Sequence, residues 1–72
     1  MRILVIGSGS KEHALVWKLL ASEKFIEPEI YACPGNFALR KIVECIDADI
    51  NDTNRLLEIA IARNIDLTIV GE

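Results

Sequence analysis

Arg2-Ile3-Leu4-Val5-Ile6-Gly7-Ser8-Gly9-Ser10 is an aliphatic run that stops abruptly in small residues. A short run rich in β-branched side chains and closed by a turn former reads as a fully buried strand. The next segment, Lys11-Glu12-His13-Ala14-Leu15-Val16-Trp17-Lys18-Leu19-Leu20-Ala21-Ser22, is dominated by strong helix formers and has no internal Gly or Pro. Ser10 suits the N-cap of that helix. Val16, Trp17 and Leu20 recur at spacings of three and four, which predicts a shared face packed on a sheet. Strand, Gly-rich turn and helix in succession open an α/β fold.

The pattern repeats downstream. Glu29-Ile30-Tyr31-Ala32-Cys33 is a second strand after Pro28, and Pro34-Gly35-Asn36 is a turn, because Pro presets one dihedral and Gly or Asn accepts positive φ. Phe37 to Lys41 fits one short helical turn, and Ile42 to Ile46 has room for a brief third strand. Asp52 or Thr53 caps a second helix through Asn64, with Leu56, Ile59, Ala60 and Arg63 on one face and Leu57 and Ile61 widening it. Asn64 suits a left-handed helix end. Ile65 to Val70 is the last strand, running into Gly71-Glu72. Alternation of this kind predicts a parallel sheet with right-handed crossovers and flanking helices, in the strand order 3-2-1-4. Such a Rossmann-like domain ordinarily continues with another helix over the sheet, so residues 1–72 read as one partial, truncated domain.

Composition narrows the function. The formal net charge is −3, and Lys and Arg are scattered, with Arg40-Lys41 the only adjacent pair in the sequence, so a nucleic-acid footprint is not expected. No apolar run approaches the roughly 18 residues of a membrane span. The two cysteines, Cys33 and Cys45, do not form a disulfide framework, and reduced thiols in the cytoplasm are expected. With 51% apolar residues in so short a chain, an exposed apolar sheet face is expected, and with it self-association or low stability.

The chemistry concentrates at Gly7-Ser8-Gly9-Ser10. Backbone N–H groups at a helix N-terminus lack partners and carry partial positive charge, which suits a phosphate. Gly7 permits the tight turn and Gly9 lets an anion approach the backbone. Ser8 and Ser10 add hydroxyls, and Lys11 adds a full charge. A dinucleotide fingerprint is not met: its third Gly would stand at Glu12, and the second strand ends without an acid. By itself the turn fits either a phosphate site or a plain strand–helix connection without a ligand.

Gly7-Ser8-Gly9-Ser10-Lys11-Glu12-His13-Ala14 followed by Trp17-Lys18-Leu19, the later Pro34-Gly35-Asn36, and Asp66-Leu67-Thr68-Ile69-Val70-Gly71 together resemble the phosphoribosylamine–glycine ligase family in order and spacing. The resemblance covers nearly the whole chain. The family usually has Gly in place of Ser10, Arg in place of Lys11, and Pro-Glu after Gly71, where this chain has Glu72. Lys keeps the charge but not the fork of guanidinium.

The resemblance implies an N-terminal domain of the pre-ATP-grasp type. The parent ligase joins glycine to 5-phosphoribosylamine, with ATP activating the glycine carboxylate as an acyl phosphate. ATP and Mg2+ are then held by the ATP-grasp and later domains, which lie outside this chain, so the chain alone is expected to be inactive, with no catalytic or metal-binding residue of its own. Carried over, phosphate or ribose contact falls to Gly7, Ser8, Gly9, Ser10 and Lys11, with Pro34, Gly35 and Asn36 at the same sheet edge. Glu12 orients a sugar hydroxyl or the amine, or is simply a helix-start charge. His13 is expected to pack locally. The readings that compete with a ligase domain are a small standalone phosphate- or nucleotide-binding module and a non-catalytic relic.

Overall fold

The computed structural model describes residues 1–22 and 28–71; the departure at Glu72 lies outside them. Seven elements follow one another: β1 (Arg2–Gly7), α1 (Ser10–Ala21), β2 (Glu29–Pro34), a 3-10 turn (Leu39–Lys41), β3 (Glu44–Cys45), α2 (Thr53–Ala62) and β4 (Leu67–Val70). The four strands form one parallel sheet in the order β3-β2-β1-β4, as the alternation predicts. The fold is Rossmann-like α/β.

β1 is the central strand, and Ile3, Leu4, Val5, Ile6 and Gly7 are all buried. Their side chains divide by the period of a strand. Ile3 and Val5 join Ile30, Ala32, Val16, Leu19 and Leu39 in one cluster. Leu4 and Ile6 join Cys33, Ile46 and Ile59 in a second. Thus α1 packs on one face through Val16 and Leu19, and α2 on the other through Ile59. A strand buried on both faces has no polar side to show, which is why β1 reads as uninterrupted aliphatics.

The last strand begins at Leu67 rather than Ile65 and the second helix ends at Ala62 rather than Asn64, and further details differ from the sequence expectation. The N-cap of α1 is Gly9, not Ser10, because the carboxylate three residues after Gly9 reaches back to its N–H, the pairing of a capping box. Trp17 (56% exposed) and Leu20 (41%) turn away from the sheet. The buried face of α1 is instead Glu12, Val16 and Leu19, with Leu15 half-buried beside them, one stripe of a 3.6-residue period. Leu57 and Ile61 likewise stand exposed on α2. The second helix is otherwise as expected: the Asp52 side chain caps it by accepting from the Arg55 N–H at 3.1 Å, and Asn64 closes it with φ 53°.

The edge strand β4 leaves Leu67 and Val70 exposed, so apolar sheet surface does reach solvent. Its lower end is tied by a two-way contact. Arg2 N–H donates to the Asp66 carboxylate at 2.8 Å, and Asp66 N–H donates to Arg2 O, also at 2.8 Å.

Cys33 is fully buried at the end of β2. Burial pushes its thiol up from the ordinary 9.0; nearby Arg55 opposes this, while Asp47 and Cys45 add to it. Below pH 9.0 the thiol is protonated in both folded and unfolded chains and contributes no pH dependence. Above it the unfolded chain loses the proton first, so stability falls as pH rises toward the folded value. The melting temperature of the native chain should therefore drop more steeply above pH 9 than that of Cys33→Ala, and equal slopes would exclude this account.

Candidate functional site

The carboxyl ends of β1, β2 and β4 meet at one edge of the sheet. Gly7 sits beside Pro34 in register, and Ile6 beside Val70, so the residues leaving all three strands emerge together. In open α/β sheets this edge is where ligands bind. All nine expected contact residues gather there: Gly7, Ser8, Gly9, Ser10, Lys11 and Glu12 on the first turn, Pro34, Gly35 and Asn36 on the second.

The two turns are bonded to each other. Gly35 N–H donates to Gly7 O at 3.1 Å. Asn36 Nδ2 donates to Ser8 O at 2.9 Å and lies 3.5 Å from Gly9 O, while its Oδ1 accepts from Leu39 N–H at 2.8 Å. One half-buried amide therefore anchors the Gly-rich turn, the second turn and the 3-10 turn. Gly35, at φ 72°, gives the chain the left-handed step it needs there. Replacing Asn36 by Ala removes both arms. At about 0.5–1.5 kcal/mol for each net hydrogen bond, the expected loss is roughly 1–2 kcal/mol in a denaturant titration. A change confined to the binding of added ligand, with no loss of stability, would contradict this role.

Ser8, Ser10 and Lys11 are exposed, so their hydroxyls and ammonium are available at the edge. The first N–H groups of α1 have no intrahelical acceptor and point outward from the same place. Glu12 behaves differently. It is only 2% exposed, and its Oε2 accepts from Gly9 N–H at 3.0 Å. Its carboxylate lies inward beneath the turn rather than out over the edge. His13, one step along the helix, is half-buried, and its backbone N–H reaches Gly9 O at 3.4 Å. Among the described residues the edge is open, with no enclosed pocket. These groups can hold an anion and hydroxyls along one side of a ligand; they do not surround one.

Gly71 closes the last of the three family blocks in the sequence, but it was not among the expected contact residues. It stands directly after β4, its N–H donates to Ile6 O at 2.9 Å, and its Cα faces the Glu12 side chain. A Gly immediately after an apolar strand, in a sheet whose first strand also ends in Gly, is the signal that marks it.

The family profile described as "Phosphoribosylglycinamide synthetase, N domain" matches residues 1–72. The chain belongs to this family. It is similar to phosphoribosylamine–glycine ligases of Clostridium acetobutylicum (46% identical over 71 residues), of Caldanaerobacter subterraneus subsp. tengcongensis (39% over 71) and of Yersinia pestis (44% over 73). Each match covers 99% of this chain, but only 16–17% of the relative. The chain thus spans about a sixth of the length of these ligases. The paired turns are a feature of this N domain, whichever further segments accompany it.

Proposed function

We propose that this N domain supplies the sugar-phosphate side of the substrate site in a ligase that joins glycine to 5-phosphoribosylamine in de novo purine biosynthesis. The observation that carries the proposal is the bonding of the Gly-rich turn to the Pro34-Gly35-Asn36 turn at the carboxyl edge of the sheet. The free N–H groups of α1, the hydroxyls of Ser8 and Ser10 and the Lys11 ammonium suit a phosphate. In this reading the ribose of such a ligand extends toward the second turn.

A dinucleotide reading is disfavoured by the same geometry. The position of the third fingerprint Gly holds the buried carboxylate of Glu12, and β2 ends in Cys33-Pro34 rather than in an acid for a ribose hydroxyl.

In this reading ATP activates the glycine carboxylate as an acyl phosphate, and ATP and Mg2+ are held by the rest of the ligase. The described edge offers no set of ligands for Mg2+. Its one carboxylate is already bonded to Gly9, and among the described residues no three His, Cys, Asp or Glu side chains gather. The domain's own work is to bind and orient the amine-bearing sugar phosphate, so the isolated chain is inactive. The exposed Leu67, Val70, Leu57 and Ile61 are the surfaces that the rest of the ligase, or a second copy of the isolated chain, covers. We place the ligase in the cytoplasm; among the described residues no helix is long and apolar enough to cross a membrane.

A chimaera tests the proposal. When this chain replaces the matching N-terminal segment of the Clostridium acetobutylicum ligase, glycine- and ATP-dependent ligation should be retained. Lys11→Ala in that chimaera should raise KM for phosphoribosylamine by about tenfold or more, since hydrogen bonds to charged groups are worth about 1.5–3 kcal/mol, with little change in kcat. A folded chimaera without ligation, or a Lys11→Ala effect confined to kcat, would count against it.

A further inference from the structure

Glu12 is the only buried charged residue among those described, and its surroundings are unusual. Three backbone segments close around one carboxylate. On the first turn, Gly9 N–H bonds Oε2 at 3.0 Å, and a Cβ on Gly9 would stand 3.1 Å from the same oxygen. On the end of β1, a Cβ at Gly7 would overlap Oε1 and the side-chain carbons. On the exit from β4, a Cβ at Gly71 would overlap the same atoms. Gly7 carries φ 146°, so its lack of a side chain is also a backbone requirement. Gly71 has no positive φ. Its backbone admits any residue, and what keeps it bare is the Glu12 side chain.

We infer that Glu12 is a positioning residue that locks the Gly-rich turn to the chain leaving β4, so that Glu12 and Gly71 act as one unit. The lock is steric and electrostatic together. Without the carboxylate, Gly9 N–H loses its acceptor and the turn loses the side chain that fills the space beneath it. The turn is then held from the side by its bonds to the second turn alone, and the N–H groups of Ser10 and Lys11 lose the support beneath them. With the carboxylate in place, any side chain at Gly71 displaces it, and the displacement is delivered to Gly9, which is far away in sequence. Glu12 therefore need not touch a ligand to govern binding at the turn. That part of the inference, the effect on sugar-phosphate affinity, rests on the function proposed above. The mechanical coupling does not.

The test is a double-mutant cycle on the full 72-residue chain with two readouts. The first is the amide signal of Gly9 in a 15N correlation spectrum. Gly71→Ala should shift it clearly in the Glu12 background and leave it nearly unmoved in the Glu12→Ala background, where the obstructing side chain is gone. The second is affinity for ribose 5-phosphate. Glu12→Ala and Gly71→Ala should each weaken it by about tenfold, the scale of one charge-assisted hydrogen bond, and the double variant should be no weaker than either.

Glu12→Gln keeps the length and an acceptor oxygen. It should bind nearly as the native chain does and remain sensitive to Gly71→Ala, and if Glu12→Ala does not fold, the response of the Gly9 amide to Gly71→Ala in the native and Glu12→Gln backgrounds carries the test. Additive effects in the cycle, or a Gly9 amide indifferent to Gly71→Ala when Glu12 is present, would overturn the inference. A native chain that shows the amide coupling but does not bind ribose 5-phosphate would sink the proposed function and leave the coupling standing.

Discussion

Gly7→Ala is expected to remove half or more of the chain's stability, seen as a fall of about half in the urea midpoint. Gly7 lies at φ 146°, a region where an L side chain costs on the order of 1–3 kcal/mol. The new Cβ would also overlap the Glu12 carboxylate. Displacing that group leaves Gly9 N–H without its acceptor and a buried charge without its partner, a penalty of about 1–3 kcal/mol or more. The sum is set against a stability of roughly 0.05–0.15 kcal/mol per residue, with so small a chain at the weak end of its class. Glu12→Ala combined with Gly7→Ala should recover part of the loss, since the overlap and the displaced buried carboxylate are gone while the backbone strain and the unpaired Gly9 N–H remain. An unchanged midpoint for Gly7→Ala would mean that the turn does not have the shape described.

Leu39→Ala is the second large effect. Leu39 is fully buried in the cluster with Ile3, Val5 and Val16, although it belongs to a 3-10 turn of three residues. Its N–H bonds Asn36 Oδ1, and its carbonyl accepts from Ile42 at 3.0 Å and Val43 at 2.9 Å. One side chain thus plugs the core while its backbone holds the second turn of the site. Truncation of a buried Leu to Ala costs about 2–5 kcal/mol, which should exceed the effect of Asn36→Ala. Phe37, two residues away and 78% exposed, is the control: Phe37→Ala should lie within about 0.5 kcal/mol of the native chain. Equal effects at the two positions would show that the 3-10 turn does not dock on the sheet.

These residues also show what the sequence made legible. The strand order followed from alternation because β1 is aliphatic throughout and each helix has a clear apolar stripe. The two turns were readable because Gly, Pro and Asn have definite backbone preferences. What escaped was the direction of particular side chains. Trp17 and Leu20 are as apolar as Val16 and Leu19, and only the three-dimensional sheet decides which stripe of α1 meets it. Glu12 stands in a first helical turn, where an acid is usually a solvated charge favoured by the helix dipole. It instead lies beneath the turn, in space that a Cβ at Gly71 would enter, and no local pattern connects two residues so far apart in the chain. The burial of Leu39 was hidden similarly, because a three-residue turn has no period to read.

The central claim is that the two bonded turns form a sugar-phosphate half-site, and an amide chemical-shift titration with ribose 5-phosphate, with NAD as control, tests it most directly. The account predicts shifts confined to residues 7–13 and 34–36, and only with the sugar phosphate. A well-dispersed spectrum that responds to neither ligand, or equally to both, would contradict it.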